Sequence, residues 1–410
     1  MIFPLSNPKP DFESMEKVIK GEKEPEKVHF VEEFADPEII NYITQNILEE
    51  KFPELDEIWA SLGSNSHYQK KIDKYLKDGS FKLIDGEPDI IRLKRDIAFY
   101  YRMGFDYVPD LYPWSILPAL LTVKLRETAE NNKGGARQSN DTAKGEFSRG
   151  KRNWQEEKSS IVSSWEDFEK ITWDKINMDS IGLEEYFKLA EKNLPEGMKM
   201  PIVGCLFNPG VVGNFFGFEE FCFFLYEKPD LVKAVIDKFG QLNYELYERA
   251  VSFDCVGFMW HADDFAFSSG TMISKAQLEQ YVLPWFKKYS ELAHKHNKTF
   301  WLHACGNMYD LMPELINDIK IDAKQSFEDK ILSVIEFKER YGDKVAPLGG
   351  VDVDKLCRLP ENELRSYCRN ILDKCMSGGR YAYGTGNSVA NYIPLKNYII
   401  MMEEGYNYIK

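Results

Sequence analysis

The residues with the most chemical promise are His303 and Cys305, in the run Phe300-Trp301-Leu302-His303-Ala304-Cys305-Gly306-Asn307. An imidazole and a thiol two positions apart on an extended chain share one face, so both can reach a single ion. Mixed nitrogen and sulfur ligation suits Zn²⁺, and a catalytic zinc needs about three protein ligands and one open position. Gly306 lets the chain turn sharply away after the pair. Cys357, Cys368 and Cys375 fall in helical patterns and read as packing residues, so no other cysteine stands at an obvious strand end to complete a set.

Two acidic segments offer partners. His261-Ala262-Asp263-Asp264 follows the apolar run Cys255–Trp260. Adjacent acids at a strand end cannot both face a pocket. One is expected to face inward and the other to bond backbone or cap the next segment. Asp264 or His261 is then a metal ligand, a hydrogen-bond partner for substrate, or a general base. Lys324-Gln325-Ser326-Phe327-Glu328-Asp329 offers Glu328 as a third ligand or an acid/base group, or as a charge at a helix N-terminus. The glycine-rich segments Gly349-Gly350-Val351-Asp352 and Gly384-Thr385-Gly386-Asn387-Ser388 carry no Walker or dinucleotide pattern. Their glycines are expected to let backbone approach a bulky ligand closely.

These segments share a position in the chain. From about residue 98, short apolar runs alternate with amphipathic helical patterns. The runs Phe105–Val108, Ile202–Phe207, Cys255–Trp260, Phe300–His303, Ala323–Phe327, Val345–Gly349 and Arg380–Tyr383 read as strands, and helical patterns such as Lys228–Val251, Lys275–His296 and Glu361–Met376 lie between them. Repeated strand–helix units imply a parallel sheet with crossover helices. A doubly wound sheet concentrates its chemistry near one switch point. Here nearly every strand exit carries polar or glycine-rich chemistry, which is the distribution a (β/α)8 TIM barrel produces. We expect such a barrel over residues 91–410. Residues 1–90 read as a helical N-terminal extension packing on it, with a helix over Pro37–Leu48 capped by Asp36. A polar, locally basic stretch at about 127–158 reads as a long loop inserted in the barrel.

Composition excludes several classes of partner. The net charge of -14 argues against nucleic acid and against an anionic membrane surface. No apolar run approaches the ~20 residues of a membrane helix. Seven cysteines, spread without small-scaffold spacing, fit free thiols in a reducing cytoplasm, where we expect this protein to reside.

Taken together, Ala262-Asp263-Asp264, the helical stretch Met272 to Phe286, Leu302-His303-Ala304-Cys305-Gly306-Asn307, Leu348-Gly349-Gly350-Val351-Asp352 and Gly379 to Asn391 resemble the uroporphyrinogen decarboxylase superfamily. That superfamily is a (β/α)8 barrel with two chemistries: cofactor-free decarboxylation of a tetrapyrrole, and cobamide-dependent methyl transfer. The chain looks more like the methyltransferase branch, in which His-x-Cys-Gly and a later cysteine bind zinc. His303 and Cys305 match the first two positions. The later cysteine would fall near Gly386-Asn387-Ser388, where this chain has Asn387. The arginine-rich N-terminal signature of the decarboxylases is missing. Phe105-Asp106-Tyr107-Val108-Pro109-Asp110 stands in that region.

The resemblance therefore implies a corrinoid-dependent methyltransferase. The expected reaction is zinc-assisted transfer of a methyl group between a small methylated compound, such as a methoxylated aromatic, and a corrinoid protein. Methyl transfer from a donor to Co(I) and from methyl-corrinoid to an acceptor thiol both fit, and O-demethylation is favoured. The corrinoid would arrive on a separate protein, since no Asp-x-His-x-x-Gly segment is present. In this picture Asn387 contacts substrate and Tyr107, Trp114, Trp260 and Phe327 supply aromatic walls. A tetrapyrrole decarboxylase, a non-catalytic ligand-binding barrel and a homodimer are left open.

Overall fold

The structure, a computed structural model, describes residues 3–48, 52, 67–118, 120, 121, 138–140, 151–153, 160–171, 173 and 178–409. The polar stretch at about 127–158 lies largely outside them. Its described part is an antiparallel pair, β1 (Gln138–Asn140) with β2 (Lys151–Asn153).

Parallel strands β3 (Met200–Gly204) and β4 (Val256–Ala262) pair side by side, and a small hairpin, β5 (Ala266–Phe267) with β6 (Gly270–Thr271), follows β4. The sheet continues through β7 (Thr299–His303), β8 (Ala323–Gln325) and β9 (Ala346–Pro347), all parallel. Every residue of β3, β7, β8 and β9 is buried. Parallel strands covered on both faces require such composition.

Single bridges extend this five-stranded core into a ring. Tyr107 bridges Lys199 beyond β3, while Leu348 and Val351 bridge Ala382 and Thr385 beyond β9. Tyr383 and Val389 in turn bridge Phe30 and Ala35. The seam between the segments of Phe30 and Tyr107 closes through side chains. The Tyr107 hydroxyl donates to the Glu32 carbonyl at 2.7 Å and accepts the Glu32 N–H at 2.9 Å. His29 Nδ1 lies 2.6 Å from Asp106 Oδ2 beside it. The result is the expected (β/α)8 barrel. Residues 1–90 do more than pack on it, however: the segment Phe30 to Ala35 is one of its staves.

The helices over Lys228–Val251 and Glu361–Met376 occur where periodicity placed them, as Pro229–Ala250 and Glu361–Cys375, and two others differ for local reasons. The helix over Lys275–His296 breaks into Lys275–Tyr281 and Leu283–Lys295. Pro284 has no N–H to continue the ladder. Ser274 and Gln277 form a capping box at the first of the two. The helix Pro37–Tyr42 widens into a π-turn at Ile43–Ile47. Asp36 makes no side-chain cap there; its carboxylate accepts the Asn391 N–H at 2.7 Å and so ties the first stave to the eighth.

The barrel interior is layered. At its floor Tyr107, Phe258, Trp260 and Trp301 pack together, and Phe12 from the helix Phe12–Ile19 stacks on Phe258 at 5.4 Å. These rings fill the lower barrel and leave its upper end, where the strands terminate, for polar groups. All seven cysteines are free thiols. No helix among the described residues is long and apolar enough to cross a membrane.

Candidate metal centre

The register of the sheet brings the first two candidates to the mouth of the barrel. Ala262, His303 and Gln325 are Cα partners across β4, β7 and β8. Alternation along β7 sends Trp301 and His303 inward, while Phe300 packs outward beside His261. Asp264, His303 and Cys305 converge, with one ligand atom from each lying within 4.8 Å of the others. His303 Nε2 is 3.5 Å from Cys305 Sγ and 3.6 Å from Asp264 Oδ1. Asp264 also accepts the Cys305 N–H at 2.8 Å, which fixes the turn after β7. At Gly306, φ is +82° and an added Cβ would fall 2.3 Å from the Ala266 carbonyl oxygen. Only glycine lets the turn sit against the β5–β6 hairpin.

The adjacent acids divide their roles as expected. Asp263 is fully buried and accepts the backbone N–H groups of Leu206, Phe207 and Asn208 at 3.0, 2.6 and 2.6 Å. It holds the exit of β3. The Asp264 side chain retains 39% of its exposure and faces the cluster. Burial works to raise its pKa, but hydrogen bonding and charge from His303 hold it below the usual carboxylate range.

His303 is oriented from behind. Its Nδ1 bonds Gln325 Oε1 and lies 3.2 Å from Glu33 Oε2. Gln325 can only accept there, because its Nε2 donates to the Asn387 carbonyl at 2.7 Å. Nδ1 therefore carries hydrogen and Nε2 is the nitrogen turned toward Cys305 and Asp264. Burial opposes a charged imidazole, yet Glu33, Cys305 and Asp264 push the pKa of His303 well above its ordinary value. Burial raises the pKa of Glu33, partly offset by His303.

Not every candidate reaches this cluster. His261 is turned outward among Phe286 and Tyr289, with Nδ1 2.8 Å from the Tyr247 hydroxyl and Nε2 3.3 Å from Asp263. It supports the clamp rather than the mouth. Glu328 is 35% exposed and pairs with Lys330 at 3.2 Å, outside the group formed by Asp264, His303 and Cys305. Tyr107 and Trp260 belong to the floor. Phe327 faces the helix layer, 5.1 Å from Phe337 and beneath Lys324 Nζ. Trp114 is buried, with no hydrogen-bond partner for its indole N–H among the described residues. Asn387 does reach the cluster, but its Nδ2 donates to Cys305 Sγ at 3.1 Å. Glu33, Gln325 and Ser326 are site residues that sequence reasoning passed over. The last two lie in the segment singled out for Glu328. Glu33 ends the run Val28-His29-Phe30-Val31-Glu32, an apolar segment running into acids.

A barrel with convergent polar groups at its strand exits defines an enzyme scaffold. Residues 159–408 match the family model for uroporphyrinogen decarboxylase, which is more than half of the chain. The chain belongs to that family. Among solved structures, it is similar to a methyltransferase from Methanosarcina mazei, at 16% identity and a TM-score of 0.59, with 97% of this chain and 98% of that one covered. This likeness supports the fold. A fainter one, at 10% identity and a TM-score of 0.39, is to a Listeria monocytogenes protein provisionally described as a vitamin-B12-independent methionine synthase, covering 92% of this chain and 96% of that one. It carries no weight here. No curated protein matches the sequence.

Proposed function

We propose that this protein is a metal-dependent methyltransferase that moves a methyl group between a small methylated compound and a corrinoid carried on a separate protein. The observation behind this reading is the convergence of one carboxylate, one imidazole and one thiol at the barrel mouth. Asp264, His303 and Cys305 would hold Zn²⁺, a donor set that fits a three-ligand catalytic site with an open position. Zinc bound there would supply Lewis acidity toward an oxygen atom of the substrate.

The remaining residues have definable tasks. Gln325 and Glu33 hold the imidazole in the tautomer that presents Nε2. The floor of Tyr107, Trp260 and Trp301 excludes water from below. A single thiolate leaves more positive charge on the metal than two would, which suits methyl donors attached through oxygen. We therefore favour O-demethylation of a small methoxylated compound. Tetrapyrrole decarboxylation has less support. The substrate carries many carboxylates and wants free arginines, whereas the buried Arg92 is matched to Asp110 at 3.0 and 3.1 Å and Arg95 to Asp96 at 2.7 and 2.9 Å.

The test mixes metal-loaded protein with methoxylated compounds and a Co(I) corrinoid protein, and follows methyl-cobalt absorbance. Substrate-dependent methyl-cobalt formation is expected. Turnover of uroporphyrinogen by the metal-free protein, with no methyl-cobalt signal, would replace this reading.

A further inference from the structure

Asn387 stands where the family resemblance leads one to expect a second cysteine, and its surroundings leave little freedom in what it does. Its backbone carbonyl accepts from Gln325 Nε2 and from Thr385 Oγ1, each at 2.7 Å. Its side-chain Oδ1 accepts the Ser388 N–H at 2.8 Å. An amide whose oxygen is engaged in this way must present its NH2 on the other side. Nδ2 accordingly points at Cys305 Sγ, 3.1 Å away, and reaches Ser326 Oγ at 3.4 Å. Ser326 Oγ itself lies 3.5 Å from the same sulfur.

We infer that Asn387 is a positioning residue that acts through Cys305: its N–H draws charge from the sulfur, so that a metal held by Asp264, His303 and Cys305 remains a strong Lewis acid. This inference rests on the metal-dependent reading above and deepens it. Hydrogen bonds to a coordinating sulfur lower its donor strength and tune the metal it binds. A cysteine at the same position would have the opposite effect, adding a second thiolate and more negative charge. Residue 387 would thus set the preference between oxygen-linked methyl donors and thiol methyl acceptors. The donor is held in place before any ligand arrives, because both oxygens of Asn387 are already bonded.

The experiment loads wild-type protein, Asn387→Ala and Asn387→Leu with Co²⁺ in place of zinc. Leucine nearly matches asparagine in shape, which guards against a collapsed site. Two readouts are independent of turnover: the energy of the sulfur-to-cobalt charge-transfer band, and the rate at which iodoacetamide alkylates Cys305 in the metal-loaded protein, followed by peptide mass spectrometry. Both variants are expected to move the band to lower energy and to raise alkylation roughly tenfold, the scale of one hydrogen bond to a charged group. If wild type takes up cobalt but both variants keep its band position and alkylate within about twofold of it, the role given to Asn387 is overturned and the metal site stands. If wild type takes up no cobalt, the metal-dependent reading falls, and this inference with it.

Discussion

Trp301 and His303 are two residues apart on one strand and both face the barrel interior, yet they belong to different physical worlds. Trp301 sits among Phe258, Trp260 and Tyr107, with centroid separations of 3.8, 5.5 and 6.0 Å, and its indole N–H is satisfied by Thr299 Oγ1 at 2.9 Å. His303 sits among Glu33, Asp264, Cys305 and Gln325, all of them polar. One layer removes apolar surface from water. The other concentrates charge in a place where hydration is limited. The contrast teaches that depth along the strand, and not which way a residue faces, separates stability from chemistry in this barrel.

The sharpest way to break the comparison is to truncate one residue from each layer. Trp301→Ala should cost about 3–5 kcal/mol of unfolding free energy through lost burial and the cavity left behind. Metal-free His303→Ala leaves Glu33 and Asp264 without their shared partner and should also lose stability, but it alone takes the zinc content, expected at about one per chain in wild type, close to zero. Urea titration and elemental analysis of the two purified variants check both halves. A His303 variant that keeps stoichiometric zinc would sink the metal assignment.

A finer cut separates neighbours. Asp263→Ala strands three buried backbone N–H groups at the exit of β3, and a loss of roughly 3 kcal/mol is expected. Asp264→Ala strands only the Cys305 N–H, so a smaller loss of about 1 kcal/mol is expected in the metal-free protein, together with loss of zinc. Equal effects on stability would mean that the two carboxylates share one structural task.

Behind the ligands the effects should be smaller. Glu33→Gln keeps the shape of the side chain and removes its charge near His303 Nδ1. Metal affinity, measured by competition with a chelator, should fall about 10–100-fold. An unchanged affinity would leave Gln325 as the sole support of the imidazole.

Much of this contrast could be read in the sequence, and the failures have identifiable causes. The strand order and the strand-end placement of Asp264, His303 and Cys305 follow from apolar runs ending in polar residues. The outward turn of His261 was also within reach. Once Trp260 faces inward, the period of two sends His261 to the helix side. Depth was not within reach, because periodicity gives a face and not a level. Tyr107 and Trp260 face the interior as a pocket wall should, and only register across neighbouring strands puts them at the floor. The first stave escaped because it pairs through isolated bridges at Phe30 and Ala35, too short to make an alternating pattern. Glu33 was lost with it, and its partner His303 lies far away along the chain.

The first stave also offers the mildest test of the difference between layers, through the acid beside Glu33. Glu32 is fully buried, accepts the Thr385 N–H at 3.0 Å, is hydrogen-bonded to the Thr385 hydroxyl, and touches no proposed ligand. Burial dominates and lifts its pKa from 4.5 to about 8, against the opposing hydrogen bonds of Thr385. The folded protein therefore holds a proton that the unfolded chain gives up between those two values. Stability from the neutral acid is fully present below pH 4.5, declines as pH rises, and is lost by about pH 8. The slope across this window is about 1.4 kcal/mol per pH unit at most. Glu32→Gln cannot titrate, so its unfolding free energy relative to wild type should rise between pH 6 and pH 7 by about that amount. Parallel denaturant titrations at the two pH values measure the difference. A constant difference would mean that Glu32 is ionised in the folded protein, and that charge is tolerated in the wall of the barrel as well as at its mouth.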